Sequence, residues 1–209
     1  MLFTNTLATE TLALLKDLNG IPLLEKFPLV GGTNLSLRYG HRISVDLDLF
    51  TNEPFQPDEL FTEIVKKFPQ TVKIDQRGQS IWLSIKGVKV DLILHEYPYL
   101  EGIEVMDGIR ILAVQDIIPM KLEAMATRGV KKDFWDIAEL LNHFSLRQML
   151  QFHQQKYANS DPGHIILSAT YFADAEKERT NPLSLNGITW PQVKIKMQQA
   201  VDGLVKEKF

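Results

Sequence analysis

Two aspartates stand two residues apart in the segment 44–50, and their type and spacing suit them to metal chemistry. Asp46 and Asp48 alternate with apolar residues in the period-two pattern of a half-buried strand. These apolar residues are Val45, Leu47 and Leu49. Side chains at i and i+2 of a strand project from the same face, about 7 Å apart. The pair is therefore a candidate site for a divalent cation, whose preferred ligands are carboxylate oxygens.

A glycine turn precedes this pair. Gly31 and Gly32, followed by Thr33, predict the end of a strand at Val30 and a short helix that continues to about Arg38. The first amides of a helix have no intrahelical partner, so they can bind an anion. A metal site beside an anion site indicates a nucleotide, with Gly31, Gly32 and Thr33 near its terminal phosphates.

A third acid, Asp91, lies in the predicted strand 88–94 on the face opposite its apolar neighbours. Three carboxylates on strands suit a two-metal phosphoryl-transfer site, in which two Mg²⁺ ions lie about 3.5–4 Å apart. The alternative is that each acid is a solvated residue on an exposed strand face. Arg42 and His41, between the turn and the acids, are further phosphate ligands or packing residues, and Arg42 is the preferred ligand.

The composition excludes several classes of chemistry. The 209 residues carry a net charge of −3 and 44% hydrophobic residues, so bulk electrostatic binding of nucleic acid is not expected and any contact with it should be local. There is no cysteine, which excludes thiolate nucleophiles, disulfides and thiol-ligated zinc. Charged residues interrupt the amphipathic N-terminus, so we expect neither a signal peptide nor a membrane span. We therefore expect cytoplasmic residence.

The order of the helices and strands that must position these residues predicts an α+β fold. In this fold a mixed sheet with flanking helices is followed by a C-terminal helical bundle. Strands are predicted at 44–50, 72–76, 80–85 and 88–94, and helices at 5–19, 31–38, 58–68, 114–127, 132–142, 145–157, 163–172 and 191–208. Periodicity breaks down over 95–113. We therefore predict a catalytic α/β core at 1–112 and a helical domain at 113–209, with the active-site cleft between them.

The segment Gly31–Phe50 resembles the opening motif of nucleotidyltransferase toxins of the AbiEii/AbiGii abortive-infection type, members of the DNA polymerase beta-like nucleotidyltransferase superfamily. Later motifs of that family have counterparts in this chain. They are the Asp-bearing strand Lys89–Ile93, the Lys-x-x-Ala-x-x-x-Arg helix Lys121–Arg128, the Asp-containing helix Lys131–Leu141 and the tail segment Tyr171–Glu176. The main similarity covers roughly residues 27–142.

The resemblance implies a nucleotidyltransferase fold and Mg²⁺-dependent transfer of a nucleoside monophosphate from an NTP to an acceptor hydroxyl, with release of pyrophosphate. It also implies a toxin of a toxin–antitoxin or phage-defence system, with tRNA as the first acceptor to test and a cognate antitoxin as partner. Two Mg²⁺ ions would be held by Asp46, Asp48 and Asp91.

The helical motifs supply further candidate residues. Lys121 and Arg128 are seven residues apart on one helical face and can reach one cleft. In the family the lysine contacts nucleotide phosphates, and an acid on the next helix assists catalysis or positions the acceptor. Asp136 is expected to point away from the buried stripe of that helix, with Asp133 as its rival. The alternative for these side chains is a surface salt-bridge cluster, which stabilises little.

Two other functions stay open at this point. The same site could modify a small molecule or a protein side chain, or the chain could bind nucleotide without turnover. A basic groove running from Asp48 across Lys131 and Lys132 would favour tRNA, because its phosphate backbone requires cations.

Overall fold

A computed structural model describes residues 1–206. The N-terminal half begins with a short 3₁₀ helix, Thr4–Thr6, and a second 3₁₀ turn follows the first α-helix at Pro22–Leu24. The α-helices of this half are α1 (Thr9–Asn19), α2 (Gly31–Tyr39) and α3 (Pro57–Lys67). Its first four strands are β1 (Leu47–Thr51), β2 (Val72–Arg77), β3 (Ser80–Ile85) and β4 (Val88–Leu94).

These four strands form one mixed sheet in the order β1-β4-β3-β2. Strands β2, β3 and β4 form the predicted antiparallel meander, whereas β1 pairs with β4 in parallel. The register of that parallel pair places Asp48 directly opposite Asp91. The predicted α+β class with a mixed sheet is confirmed, and its parallel pair brings together acids that are 43 residues apart in sequence.

A second, two-stranded sheet replaces the irregular segment predicted at 95–113. It consists of β5 (Ile103–Met106) and β6 (Ile109–Leu112). Asp107 and Gly108 form the turn with φ values of 48° and 77°, the left-handed pair that a tight hairpin requires. The Asp-Gly step between alternating apolar residues was the signal for this hairpin. The strand predicted to end at Val30 is reduced to single bridges from Leu29 to β1 and β6.

The C-terminal half is helical, as predicted. Its helices are α4 (Val114–Arg128), α5 (Lys131–Leu140), α6 (Leu146–Lys156), α7 (Gly163–Ser168) and α8 (Trp190–Lys206), with a 3₁₀ turn at Ala175–Lys177. Helix α7 is shorter than the predicted 163–172. The last two residues predicted for the final helix, Glu207 and Lys208, lie outside the described residues. No helix within 1–206 is long and apolar enough to cross a membrane.

Two hydrophobic clusters underlie the two halves. One joins α1, α3 and the inner face of the four-stranded sheet, and the other joins α4 to α8. Helix α2 contributes to both, because Leu35 belongs to the helical cluster and Leu37 to the sheet cluster. Helix α2 therefore lies where the two clusters meet.

A buried ion pair fixes the start of α4. The carboxylate of Asp116 accepts hydrogen bonds from the backbone amides of Leu100 (2.7 Å), Glu101 (2.9 Å) and Gly102 (3.0 Å), and from Lys156 Nζ on α6 at 2.9 Å. Both side chains of the ion pair are fully buried. Burial opposes ionisation of Asp116, but the amides and Lys156 outweigh it and lower the pKa of this carboxyl.

We predict that Asp116→Asn lowers the free energy of unfolding at pH 7 by about 3–5 kcal/mol, because it leaves Lys156 buried without a counter-ion. A carboxyl whose pKa is lowered by folding stabilises above its unfolded pKa of about 4, and this stabilisation is lost as pH falls through the folded pKa. Urea unfolding at pH 7 and at about pH 3 should therefore show the deficit of the variant shrinking with acidification. Asp174→Asn, in an exposed pair with Lys177, is the matched control and should leave the unfolding midpoint nearly unchanged. Equal losses in both variants would contradict the assignment.

Candidate active site

A cavity of about 560 Å³ opens between the sheet and the helical half. Its walls come from the start of α2, the segment 42–46, β1, β4, α4 and the segment 178–182. Eight of the predicted site residues line it, namely Gly31, Gly32, Arg42, Asp46, Asp48, Asp91, Lys121 and Arg128. Thr33 and Asp136 do not line it.

The three acids reach the cavity from β1, β4 and the segment before β1. Asp48 and Asp91 face each other across the parallel pair. Asp46 precedes β1, which begins at Leu47, so the predicted strand 44–50 is too long at its start. Val45 is 64% exposed and does not face the core as the alternation suggested. The reason is that the chain before Leu47 runs along the segment after α7 and makes no ladder with β4.

Thr33 holds this segment in place. Its side chain is buried, and its hydroxyl donates to the backbone carbonyl of Asp46 and is hydrogen-bonded to Ser44 Oγ. The hydroxyl of Thr33 is therefore occupied within the protein. Thr33 can offer only its backbone amide to a ligand.

Gly31 allows the carboxylate of Asp48 to approach the start of α2. The φ of Gly31 is +68°, which L-residues with a Cβ rarely adopt. A Cβ placed there would lie 2.3 Å from Asp48 Oδ2, and a Cβ on Gly32 would lie 2.2 Å from Arg42 Nη2. Both glycines are thus needed for close contact with charged groups, and no side chain in the described chain caps α2. The amides at its start are left available for a ligand.

The acids have the electrostatics of a cation site. Burial raises the pKa of Asp48, and the neighbouring carboxylates of Asp91 and Asp46 raise it further. Asp91 Oδ1 is buried and has no hydrogen-bond partner among residues 1–206, whereas its Oδ2 accepts from Lys89 Nζ at 2.7 Å. An orphaned carboxylate oxygen beside a second, half-buried carboxylate fits a hard divalent cation with oxygen ligands. Lys132 Nζ, 3.8 Å from Asp46, supplies a second neutralising charge.

The environment of Asp136 contradicts the sequence-based expectation. Its side chain is fully buried, so it does not point away from the core. Arg42 binds it through Nε (2.7 Å) and Nη2 (2.8 Å), His41 Nε2 lies 2.8 Å away and Lys121 Nζ lies 2.9 Å away. Burial opposes ionisation, yet Arg42 and Lys121 hold the pKa of Asp136 well below its ordinary value. The amphipathic pattern misled because α5 packs against α2, α4 and α8 at once.

Asp133, the rival acid, is buried in the same network. Arg128 binds it through Nε at 2.7 Å and Nη2 at 2.8 Å, and Lys121 Nζ lies 3.2 Å from it. Lys121 therefore stands between two carboxylates. Burial opposes its charge, but Asp136 and Asp133 raise its pKa, so it stays protonated. The salt-bridge alternative is right about the partners of Lys121 and Arg128, although the cluster is buried rather than on the surface.

Three cationic side chains stand at the cavity with about half of their surface exposed. They are Lys89, Arg128 and Lys132. The site prediction did not include Lys89, although its position two residues before Asp91 placed it on the same strand face. Lys131 is different, since its buried Nζ donates to the carbonyl of Glu178 (2.8 Å) and to Asn181 Oδ1 (2.9 Å). Lys131 therefore cannot contribute its charge to a basic groove that runs from Asp48.

Part of the segment 178–185 lines the cavity. The amide of Ile43 donates to the carbonyl of Leu183 at 2.9 Å, and the amide of Leu185 donates to the carbonyl of His41 at 2.8 Å. These bonds join the segment to the chain that leads into Asp46. Its sequence is polar and has no period, so only the structure places it in the cavity wall.

Comparisons with known proteins identify relatives in sequence and in fold. A family model described as "Nucleotidyl transferase AbiEii toxin, Type IV TA system" matches residues 13–185. An uncharacterized protein of Aquifex aeolicus (strain VF5) is 34% identical over 170 residues, which cover 78% of this chain and 82% of that protein.

Two solved structures have a similar fold. JHP933 from Helicobacter pylori has a TM-score of 0.56 and 19% identity, covering 97% of this chain and 96% of that one. The nucleotidyltransferase toxin MenT4 from Mycobacterium tuberculosis H37Rv has a TM-score of 0.60 and 14% identity, covering 95% and 86%. At these identities the likeness is one of fold.

We predict that Asp136→Asn lowers the free energy of unfolding by about 3–5 kcal/mol, because it leaves Arg42 and Lys121 without their shared counter-ion in a buried site. Urea unfolding followed by circular dichroism measures the loss. Asp202→Asn, at an exposed position on α8, should change the midpoint little. An Asp136→Asn variant with an unchanged midpoint would show that the network is not structural.

Proposed function

The chain belongs to the AbiEii family of nucleotidyltransferase toxins of type IV toxin–antitoxin systems, and on this premise we propose that the cavity binds an NTP with Mg²⁺ and transfers its nucleoside monophosphate to tRNA. The resemblance seen in the sequence is thereby confirmed at the level of family and enzyme class. The observation that carries the proposal is the parallel pairing of β1 with β4, which sets Asp48 opposite Asp91 beside the uncapped start of α2.

The triphosphate lies at the start of α2 in this proposal. Gly31 and Gly32 line the cavity there, and backbone amides at a helix N-terminus bind phosphate through hydrogen bonds and the helix dipole. Arg128 is the cation best placed to assist. Two of its nitrogens bind Asp133, but half of the side chain is exposed and it lines the same cavity. The volume of about 560 Å³ lies within the range of small-molecule sites.

Asp46, Asp48 and Asp91 would hold the Mg²⁺ ions. Bound there, Mg²⁺ neutralises charge on the phosphates and lowers the pKa of an acceptor hydroxyl. The ligand atoms of Glu123, His153 and His164 all lie within 4.8 Å of one another. The carboxylate oxygens of the three acids are more widely spaced than these. Two of these acids contact a lysine, since Asp91 pairs with Lys89 and Asp46 lies near Lys132.

In this proposal Asp91 also accepts the proton of the acceptor hydroxyl. The acceptor oxygen then bonds to the α-phosphorus, and the bond from that phosphorus to the bridging oxygen breaks. Pyrophosphate leaves with the electron pair of the broken bond. Atoms and charge balance, with the nucleoside monophosphate on the acceptor and the proton on Asp91.

Lys121, Arg42 and Asp136 are positioning residues in this proposal rather than ligands of the nucleotide. Lys121 lines the cavity, but two carboxylates hold its ammonium. Arg42 is 4% exposed and binds Asp136 in a bidentate pair while packing on Gly32. Their function is to fix the start of α2 and the segment that carries Asp46.

Lys89, Lys132 and Arg128 support a nucleic-acid acceptor, because half-exposed cations beside the acids can contact acceptor phosphates. The burial of Lys131 favours the second candidate, a small acceptor, since it removes one cation from the basic groove that would favour tRNA. A cognate antitoxin and a role in phage defence follow from the family in this proposal.

We predict that Asp48→Asn reduces Mg²⁺-dependent pyrophosphate release about 100-fold or more, because removing one group that stabilises transition-state charge costs this much. The fold should survive, since Asn is nearly isosteric beneath Gly31. Asp75→Asn, on the edge strand β2 and paired only with surface groups, is the control with unchanged turnover. Turnover retained in Asp48→Asn would refute the metal assignment.

We predict that incubation with Mg²⁺, each NTP in turn and total tRNA adds the mass of one or more nucleoside monophosphates to tRNA. Mass spectrometry of the intact RNA measures this, and Asp48→Asn supplies the blank. Pyrophosphate release with unmodified tRNA and a nucleotidylated small molecule would support the second candidate instead.

A further inference from the structure

Helix α4 presents a second set of ligand groups on the side away from the cavity. Lys121 and Ala124 face the cavity, whereas Glu123 meets His153 of α6 and His164 of α7. His153 Nε2 lies 2.6 Å from Glu123 Oε1, and His164 Nε2 lies 3.4 Å from the same oxygen. Among residues 1–206, this is the group of three whose ligand atoms all lie within 4.8 Å. Nothing in the nucleotidyltransferase mechanism uses it.

The hydrogen bonds of His164 define what its Nε2 can do. His164 Nδ1 lies 2.6 Å from the backbone carbonyl of Asp161, and a carbonyl only accepts, so Nδ1 carries a proton. In the neutral ring, Nε2 then has a lone pair directed at a carboxylate. Two acceptors that face each other need a cation between them, either a proton on His164 or a metal ion.

The spacing suits a transition metal. Zinc bonds to histidine nitrogen and carboxylate oxygen are about 2.0–2.2 Å long, so two ligands of a tetrahedral site lie roughly 3.3 Å apart. The distance from His164 Nε2 to Glu123 Oε1 is 3.4 Å, and the 2.6 Å hydrogen bond of His153 must lengthen. His164 also has the outer partner that orients a metal-bound imidazole.

We propose that Glu123, His153 and His164 bind one Zn²⁺ or a similar divalent transition metal, at a site separate from the active site. Two imidazoles and one carboxylate select such ions over Mg²⁺. Glu123 is one-third exposed and His164 about half exposed, so the ion is accessible and water completes its coordination. His153 Nδ1 is buried and has no partner in the described chain, so coordination leaves its proton without an acceptor and limits the affinity.

The ion would join three helices. It would fasten α6 and the six-residue α7 to α4, the helix that also carries Lys121 and Arg128. Since the ligands converge only in the folded chain, binding would raise the thermal stability in proportion to the free ion concentration.

Zinc titration by calorimetry, with Mg²⁺ in excess to occupy the aspartates, tests the site. The wild-type protein should bind one Zn²⁺ and melt at a higher temperature with it. His164→Ala, at an exposed position, should keep the apo melting temperature and weaken binding about tenfold or more. His143→Ala is the matched control, because His143 is a similarly exposed histidine 3.2 Å from Glu139 that belongs to no group of three close ligand atoms among residues 1–206.

Two further readouts keep the proposal falsifiable. Glu123→Gln should weaken Zn²⁺ binding as His164→Ala does, while Asp48→Asn should retain it, which separates this site from the active site. Co²⁺ should give the visible absorption of a nitrogen- and oxygen-ligated ion in wild-type protein and lose it in His164→Ala. Equal Zn²⁺ affinity and equal melting shifts in wild type, His164→Ala and His143→Ala would overturn the proposal.

Discussion

The carboxylate of Asp136 is the group on which the geometry of the cavity depends. A buried carboxylate without counter-charges costs several kcal/mol, so its partners must stay in place as long as the protein is folded. Those partners come from two separate elements, with His41 and Arg42 on the segment that leads into β1 and Lys121 on α4. The network thus joins the sheet half to the helical half at the cavity. Its energetic value lies less in net stabilisation than in the penalty for every arrangement that separates these groups.

The same network explains why two glycines stand at the start of α2. The guanidinium of Arg42 lies against Gly32 and the carboxylate of Asp48 lies against Gly31, each at a distance that a Cβ would prevent. Backbone amides, a cation and an acid thereby share one small volume without side chains to separate them. The conformational cost of Gly32 in a helix is modest, about 0.5–1 kcal/mol, and close approach of charged groups is what offsets it.

Local patterns were enough to predict most of the fold, and the site acids came from the same patterns. The alternation of apolar and polar residues predicted β3 and β4, and glycine and proline predicted most helix ends. Asp91 lies on the polar face of β4 as Asp48 lies on the polar face of its own strand, and this match predicted that the two acids share one site. The predictions that were wrong concern residues whose burial or exposure depends on contacts distant in sequence. The exposure of Val45 follows from a segment that bonds to residues near 183, and the burial of Lys131 follows from Glu178 and Asn181. Helix α5 looked amphipathic, but neighbours on three sides bury its charged face as well.

Ion pairs hold helix α4 on both faces. They connect the proposed active site on one face with the proposed metal site on the other. On the cavity face Lys121 is fixed between Asp133 and Asp136, and at the opposite face Glu123 meets two imidazoles. Asp116 at the start of the helix is fixed by three backbone amides and Lys156. A helix held at three places along its length cannot shift by a turn without breaking buried ion pairs. An ion at Glu123 would therefore stabilise an arrangement that the network around Asp136 already requires, and its effect would appear in stability before it appeared in turnover.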